Sequence, residues 1–225
     1  MATSGTTNFN LSFTDIAEEA FERAGAEIRT GYDLRTARRS MNLLTLEWAN
    51  RGVNLWTIEQ GAVPLVAGTA TYTLPADTID LMEFVLRTND GNPATQSDVS
   101  ISRVDIGVYS SIPNKLSSGR PVQVYVDRQR DAPTISLWPV PNNSSMIFVY
   151  WRMRRMQDAG DGIQTPDIPF RFLPALVAGL AMYLSMKISP DKQQMLQAEY
   201  ERQWAHAASE DRARTTLRVV PRRSY

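Results

Sequence analysis

Cysteine is absent from this 225-residue sequence. That excludes disulfides, thiolate nucleophiles and thiolate-held metals, and it predicts a protein that matures in a reducing cytoplasm. Histidine occurs once, as His206 between Ala205 and Ala207. Neither a multi-histidine metal site nor a Ser-His-Asp arrangement is expected around it, and the reading is a structural, partly exposed side chain. Lysine is scarce: Lys115, Lys187 and Lys192 are the only three, and every other basic residue is arginine. Arginine forks onto carboxylates and stacks on aromatics, which suits interfaces, although GC-rich codon usage gives the same bias. No Walker-type phosphate loop and no Gly-rich turn from strand to helix is present. The longest apolar stretch, Phe172 to Met186, falls short of the roughly 18 residues that span a bilayer, so a buried core helix is expected and no membrane partner. The first residues carry neither the basic patch nor the apolar run of a signal peptide. The net charge is zero, which argues against wrapping nucleic acid over the whole surface.

What remains is an ordinary globular composition, 43% apolar and 21% charged. Charge is uneven along the chain. Glu18, Glu19, Glu22, Glu27 and Asp33 crowd the first helical region; Arg212, Arg214, Arg218, Arg222 and Arg223 crowd the end.

Ser12 with Asp15 three residues on predicts a capping box, followed by an apolar face of Phe13, Ile16, Ala17, Ala20, Phe21 and Ala24. A second helix is expected after Gly31, with Asp33 as N-cap and a stripe of Leu34, Ala37, Met41, Leu44 and Trp48. Gly52 fits a left-handed ending with Val53 against Trp48. From about Leu55 to Arg155 the period shifts to that of strands. Strands are read at Tyr72–Pro75 and Ile79–Arg87, then a turn at Asn89–Asn92. A short helix is expected over Ser102–Tyr109, capped by Ser102. Val122–Arg128, Thr134–Trp138 and Met146–Arg154 read as an antiparallel meander. Helix returns over Phe170–Lys187, apolar on most sides, and again after Ser189 as cap and Pro190 at N1. The last helix carries the stripe Leu196, Tyr200, Trp204 and Ala207, with Glu210 and Arg214 as an i,i+4 pair. Thr215 to Tyr225 reads as an extended basic arm.

The fold class expected is therefore α+β: a helical bundle from the N- and C-terminal helices, a central antiparallel β-rich insertion projecting from it, and an extended C-terminal arm. The boundaries are residues 1–53 for the first helices, 54–157 for the insertion, 158–214 for the returning helices and 215–225 for the arm.

The candidates for chemistry read as structural. Glu18, Glu19 and Glu22 sit on the polar side of an amphipathic helix, where a solvated or intersubunit face is the simpler reading than a glycosidase pair. Asp158, Asp161 and Asp167 lack the alternating ligand series of a Ca²⁺ loop and read as turn residues. No catalytic residue, metal or cofactor is expected. The arm mixes arginine with apolar side chains, which suits docking on a protein surface better than a pure polyelectrolyte tail does.

Several strings carry a resemblance. Met41 to Trp56 (MNLLTLEWANRGVNLW) resembles the helix-two signature of podovirus head-to-tail adaptor proteins, the tail tubular protein A-like or packaged-DNA-stabilising family. Thr71–Pro75 (TYTLP), Gly119–Val122 (GRPV) and Leu137–Pro141 (LWPVP) are similar to that family's β-insertion landmarks. Asp167–Phe170 (DIPF) resembles the return to the bundle. The order of these strings covers roughly Leu11 to Tyr200. The resemblance implies a virion structural protein, not an enzyme, assembled in the host cytoplasm and placed at the head-tail junction. It implies a ring, a dodecamer, that docks beneath the portal protein, extends the channel for packaged DNA, helps retain that DNA and presents a platform to the downstream tail, or nozzle, protein. It further implies a portal-binding arm, carried here by Arg212, Arg214, Leu217, Arg218, Val219, Val220, Arg222, Arg223 and Tyr225. The alternatives are another virion ring (a stopper or tail-completion protein), a virion-borne cell-wall-degrading enzyme with Glu18 or Glu22 as acid, and a DNA-binding protein using the terminal arginines.

Overall fold

The computed structural model describes residue 5 and residues 11–52, 55–158, 160 and 163–211. Their contacts divide into a helical unit, drawn from both ends of the chain, and a β unit, Trp56–Arg155. With five helices and ten strands among the described residues, the fold is α+β.

Helix α1 (Phe13–Ala24) opens on the expected capping box: the Asp15 N–H donates to Ser12 Oγ at 3.2 Å, and the Ser12 N–H donates to the Asp15 carboxylate at 2.9 Å. Two of the free donors at this end of the helix are satisfied reciprocally. Its buried residues are the six of the expected face. Helix α2 (Gly31–Arg51) corrects one expectation, since its N-cap is Thr30 and Asp33 is the third helical residue. The Thr30 hydroxyl accepts the Asp33 N–H while the Asp33 carboxylate accepts the Thr30 N–H at 3.0 Å, so a second capping box begins three residues earlier. Ala37, Met41, Leu44 and Trp48 are buried as expected. Gly52 ends the helix at φ 73°, a left-handed geometry that an L side chain resists. Val53 lies outside the described residues.

The β unit contains β1 (Ile58–Pro64), β2 (Thr71–Thr73), β3 (Thr78–Thr88), β4 (Ser97–Ser100), β5 (Ser102–Val104), α3 (Ile106–Ser111), β6 (Ser118–Gly119), β7 (Gln123–Asp127), β8 (Thr134–Trp138), β9 (Val140–Pro141) and β10 (Met146–Arg154). One four-stranded sheet runs β1-β10-β3-β4 and the other β2-β8-β7-β5, with β6 and β9 as a small third pair. Pairing is antiparallel except at β5–β7 and β6–β9. Leu81, Phe84 and Leu86 of β3, Phe148 and Tyr150 of β10, Val124 and Val126 of β7, and Ile135 and Leu137 of β8 meet in one core. The alternation expected along β7 holds at Val124 and Val126, whereas Val122 lies outside the strand and is exposed.

Two expectations are corrected here. The meander stops at β8, because β10 lies between β1 and β3 in the other sheet. The remaining edge of β8 is taken by β2, and both edges of β10 are hydrogen-bonded, one to β1 and the other to β3. The short helix starts at Ile106, not Ser102, since Ser102–Val104 pairs in parallel with Gln123–Tyr125. Asp105 is its cap, accepting the Val108 N–H at 2.8 Å.

The chain returns through a 3₁₀ turn at Phe170–Phe172 into α4 (Leu173–Ile188), then a 3₁₀ turn at Pro190–Lys192 into α5 (Gln193–Glu210). Ser189 stands before the second turn but its side chain makes no capping bond, so the expected cap is absent. Pro190 accordingly opens the 3₁₀ turn, and the α-helix starts at Gln193. Phe170–Ile188, 19 residues, is long and apolar enough to cross a membrane by length and composition, yet 67% of it is buried inside the protein. It packs against α1, α2 and α5, as a central core helix does. Leu196, Tyr200, Trp204 and Ala207 bury the expected stripe of α5. Arg214, the expected partner of Glu210, lies outside the described residues.

Candidate assembly surfaces

The chemistry-bearing residues singled out by sequence do not converge. His206 is exposed on α5. Glu18, Glu19 and Glu22 are exposed on α1, with Glu19 held by Arg23 at 2.8 Å. Asp158 accepts the Gly160 N–H at 3.0 Å, the local bond of a turn residue, while Asp167 accepts the Gln157 N–H at 3.2 Å across ten residues of the returning loop. Asp161 lies outside the described residues, as does the whole predicted portal-binding arm, Arg212 to Tyr225. No group of three or more His, Asp or Glu side chains that could hold a metal occurs among the described residues.

One partly buried polar network of the helical unit is structural. Trp48 Nε1–H donates to the Tyr200 hydroxyl at 2.8 Å, which donates to Glu47 at 3.1 Å; the Tyr183 hydroxyl reaches the same carboxylate at 3.0 Å. Arg51 forks between Glu47 and Glu201 and lies 5.0 Å over the rings of both Tyr200 and Trp204. Burial pushes the Tyr200 hydroxyl well above its ordinary 10.0. The donors and acceptors satisfy one another, so the network pins α2, α4 and α5 together.

The surface is more informative. Helix α2 carries a second stripe, offset from its core stripe and turned to solvent: Tyr32, Arg35, Arg39, Leu43 and Leu46, spaced by three and four. Tyr32 is 63% exposed, Leu43 55% and Leu46 56%. At the N-terminal end Tyr32, Arg35, Arg38 and Arg39 line a shallow hollow. Arg35 lies 6.0 Å over the Tyr32 ring and Arg38 5.9 Å over Phe13, and Arg38 Nε is buried without a hydrogen-bond partner among the described residues. The ion pairs of this unit use Arg23, Arg29, Arg51, Arg171 and Arg202 instead.

A groove of about 630 Å³ runs between α1 and the start of α4. Leu11, Phe170, Leu173, Pro174 and Val177 give it an apolar floor, and Asp15, Glu19 and Arg23 line its edge, with Arg23 paired to Glu19 at 2.8 Å. Phe170 stands 66% exposed in it. In the β unit, α3 buries none of its residues. Ile106 (66%), Val108 (46%) and Leu116 (84%) are exposed around it, and the helix is attached by Tyr109 stacking on Tyr125 at 5.2 Å. Large apolar side chains gathered in solvent mark contact surfaces. Sequence reading found the acidic face of α1 but missed the outer stripe of α2, although its three-and-four spacing is visible beside the core stripe.

A family model described as SU10 adaptor protein matches residues 11–222 of the chain. None of the curated proteins matches it.

Proposed function

The chain belongs to the SU10 adaptor protein family, and from that premise we propose that it is the head-to-tail adaptor of a tailed phage. The family name denotes a phage adaptor, a structural component of the virion that associates with other virion components. The finer reading places it as a ring, a dodecamer, under the portal protein. There it extends the DNA channel, helps retain packaged DNA and offers the downstream tail protein a platform. The observation that supports it beyond the family match is the division of exposed apolar surface. The helical unit offers two helix-borne surfaces, the α2 stripe and the α1/α4 groove, and the β unit a third around α3. A ring subunit needs at least two contacts to its neighbours and one to the next component.

The arm, residues 212–225, is assigned to the portal: Leu217, Val219 and Val220 supply apolar contact, and the arginines pair with portal carboxylates. Deleting Leu217 to Tyr225 is expected to leave a folded protein that no longer co-sediments with portal rings. Electron microscopy of the full chain mixed with its portal is expected to show one added ring. A particle with the protein elsewhere in the tail would instead make it a stopper or tail-completion ring.

A further inference from the structure

Asp211 is a buried carboxylate at the root of the arm. It is the C-cap of α5, and its N–H still donates to Ala207 O at 3.1 Å. One carboxylate oxygen accepts from Arg171 Nη2, in the 3₁₀ turn that leads into α4, and the other accepts the Leu55 N–H at 3.4 Å. Leu55 is the residue at which the helical unit ends and the chain passes on to the β unit. One side chain therefore ties the end of α5 to the approach to α4 and to the exit from the helical unit. Arg212, the first residue of the segment assigned to the portal, follows it directly.

This tie is poorly made for a purely stabilising one. A negative charge at a helix C-terminus meets the negative end of the helix dipole. Arg171 Nε is buried with no hydrogen-bond partner among the described residues, an unmet donor beside the ion pair. The Leu55 bond is long, since about 2.9 Å is usual for an N–H on oxygen. Arg51 of the same unit differs on each count: its three guanidinium nitrogens all donate to Glu47 or Glu201, at 2.6 to 2.9 Å.

We propose that Asp211 is a latch, which holds Arg171 and Leu55 while the arm is free and opens when residues 212–225 dock. This rests on the reading of the arm as the portal-binding segment. Docking that engages Arg212 reorients the backbone one residue from the carboxylate, and the incompletely satisfied bonds of Asp211 give way first. Opening hydrates Asp211, frees every donor of Arg171 for another acceptor and releases the chain at Leu55. Docking must meet the cost of opening, so the closed latch and the bound portal oppose each other.

Two measurements on the full-length chain test this. Leu55 is the first residue of its 3₁₀ turn and has no acceptor within it, so Asp211 is what protects its N–H. Hydrogen exchange at Leu55 is expected to quicken about tenfold when the unaltered chain binds portal rings, with the middle of α4 unchanged. Asp211→Ala is expected to exchange fast at Leu55 with or without portal. It is also expected to bind portal rings about tenfold more tightly, because its latch is already open. Arg171→Met opens the latch from the other side without altering the root of the arm, and the same tightening is expected. A merely structural tie would leave portal affinity unchanged or lower it in both variants.

Exchange at Leu55 that slows or stays the same on bound portal would overturn the latch, and so would unchanged or weaker binding by both variants. In either case an added ring on the portal keeps the adaptor reading standing. Failure of the unaltered chain to associate with portal rings would overturn that reading and the latch with it.

Discussion

Each unit sets a tyrosine ring against a glycine, and the two arrangements are held in different ways. In the helical unit a Cβ on Gly179 of α4 would stand 2.9 Å from the Tyr200 ring and from both methyl carbons of Leu44. In the β unit a Cβ on Gly61 of β1 would stand 2.4 Å from the ring of Tyr150, its partner in the β10 ladder. Tyr200 is pinned by its hydroxyl to Trp48 and Glu47, residues about 150 positions away in sequence, so its ring cannot retreat. Tyr150 is placed by the backbone ladder, and β1 is an edge strand whose chain has room to shift. Helix packing here depends on a few side-chain interlocks between distant segments, whereas sheet packing depends on register shared over many residues.

The largest expected effect attacks the interlock itself. Trp48 is fully buried, packs tilted against Phe172 and Trp204 with ring centroids at 5.6 and 4.7 Å, and donates to Tyr200. Trp48→Ala is expected to destabilise the helical unit by about 3–5 kcal/mol. Hydrogen exchange read by mass spectrometry should show α2, α4 and α5 opening while β1, β3 and β10 keep their protection. Equal loss of protection in both units would break the comparison.

A smaller perturbation sharpens it. Gly179→Ala overpacks a pinned ring at a cost of about 1–3 kcal/mol, offset by roughly 0.5–1 kcal/mol of helix propensity. Tyr200→Phe leaves the Trp48 N–H buried without its acceptor, at about 1–3 kcal/mol. Combined, the two should cost less than their sum by about 1 kcal/mol, because the unpinned ring can move aside. Gly61→Ala with Tyr150→Phe is the control in the β unit, where no such coupling is expected. Urea denaturation of the unaltered protein and the three variants in each cycle measures it.

These interlocks were the part that sequence did not disclose. The faces of α1, α2 and α5 were readable because burial recurs at helical spacing and the capping residues bracket them, as Ser12 and Gly52 show. Asp33 was misplaced by three residues because a capping box offers two acids or hydroxyls that suit either end. That Trp48 meets Tyr200 follows only from the packing of α2, α4 and α5, and no local pattern encodes it. The position of β10 was missed for the same reason, since a strand's own residues state its length and faces but not its neighbours. Of the candidate surfaces, the acidic face of α1 was legible as charge, but the groove needs α4 beside it to exist.

The smallest expected effect tests how the β unit is tied where its ladder ends. Arg152 of β10 is buried and forks between Asp77, at 2.5 Å, and Glu59, with Thr78 Oγ at 2.8 Å. The hydrogen bond from Arg152 holds the Asp77 carboxyl below its ordinary 3.8. A carboxyl depressed in the folded state binds protons more readily when unfolded, so its stabilisation is fully present above the ordinary value and fades as pH falls through the folded one. Asp77 is half exposed, at 47% of its side chain, which screens the pair and limits the contribution to under about 1 kcal/mol. Exchange protection of β1, β3 and β10 should therefore decline as pH falls from about 4 toward 2, and the decline should be shallower in Asp77→Asn. An identical slope in the variant would assign the acid response to other carboxyls, among them Asp98, which Arg87 depresses in the same sheet. That outcome would make the β unit's tie a matter of its ladder alone and widen the contrast with the pinned helices.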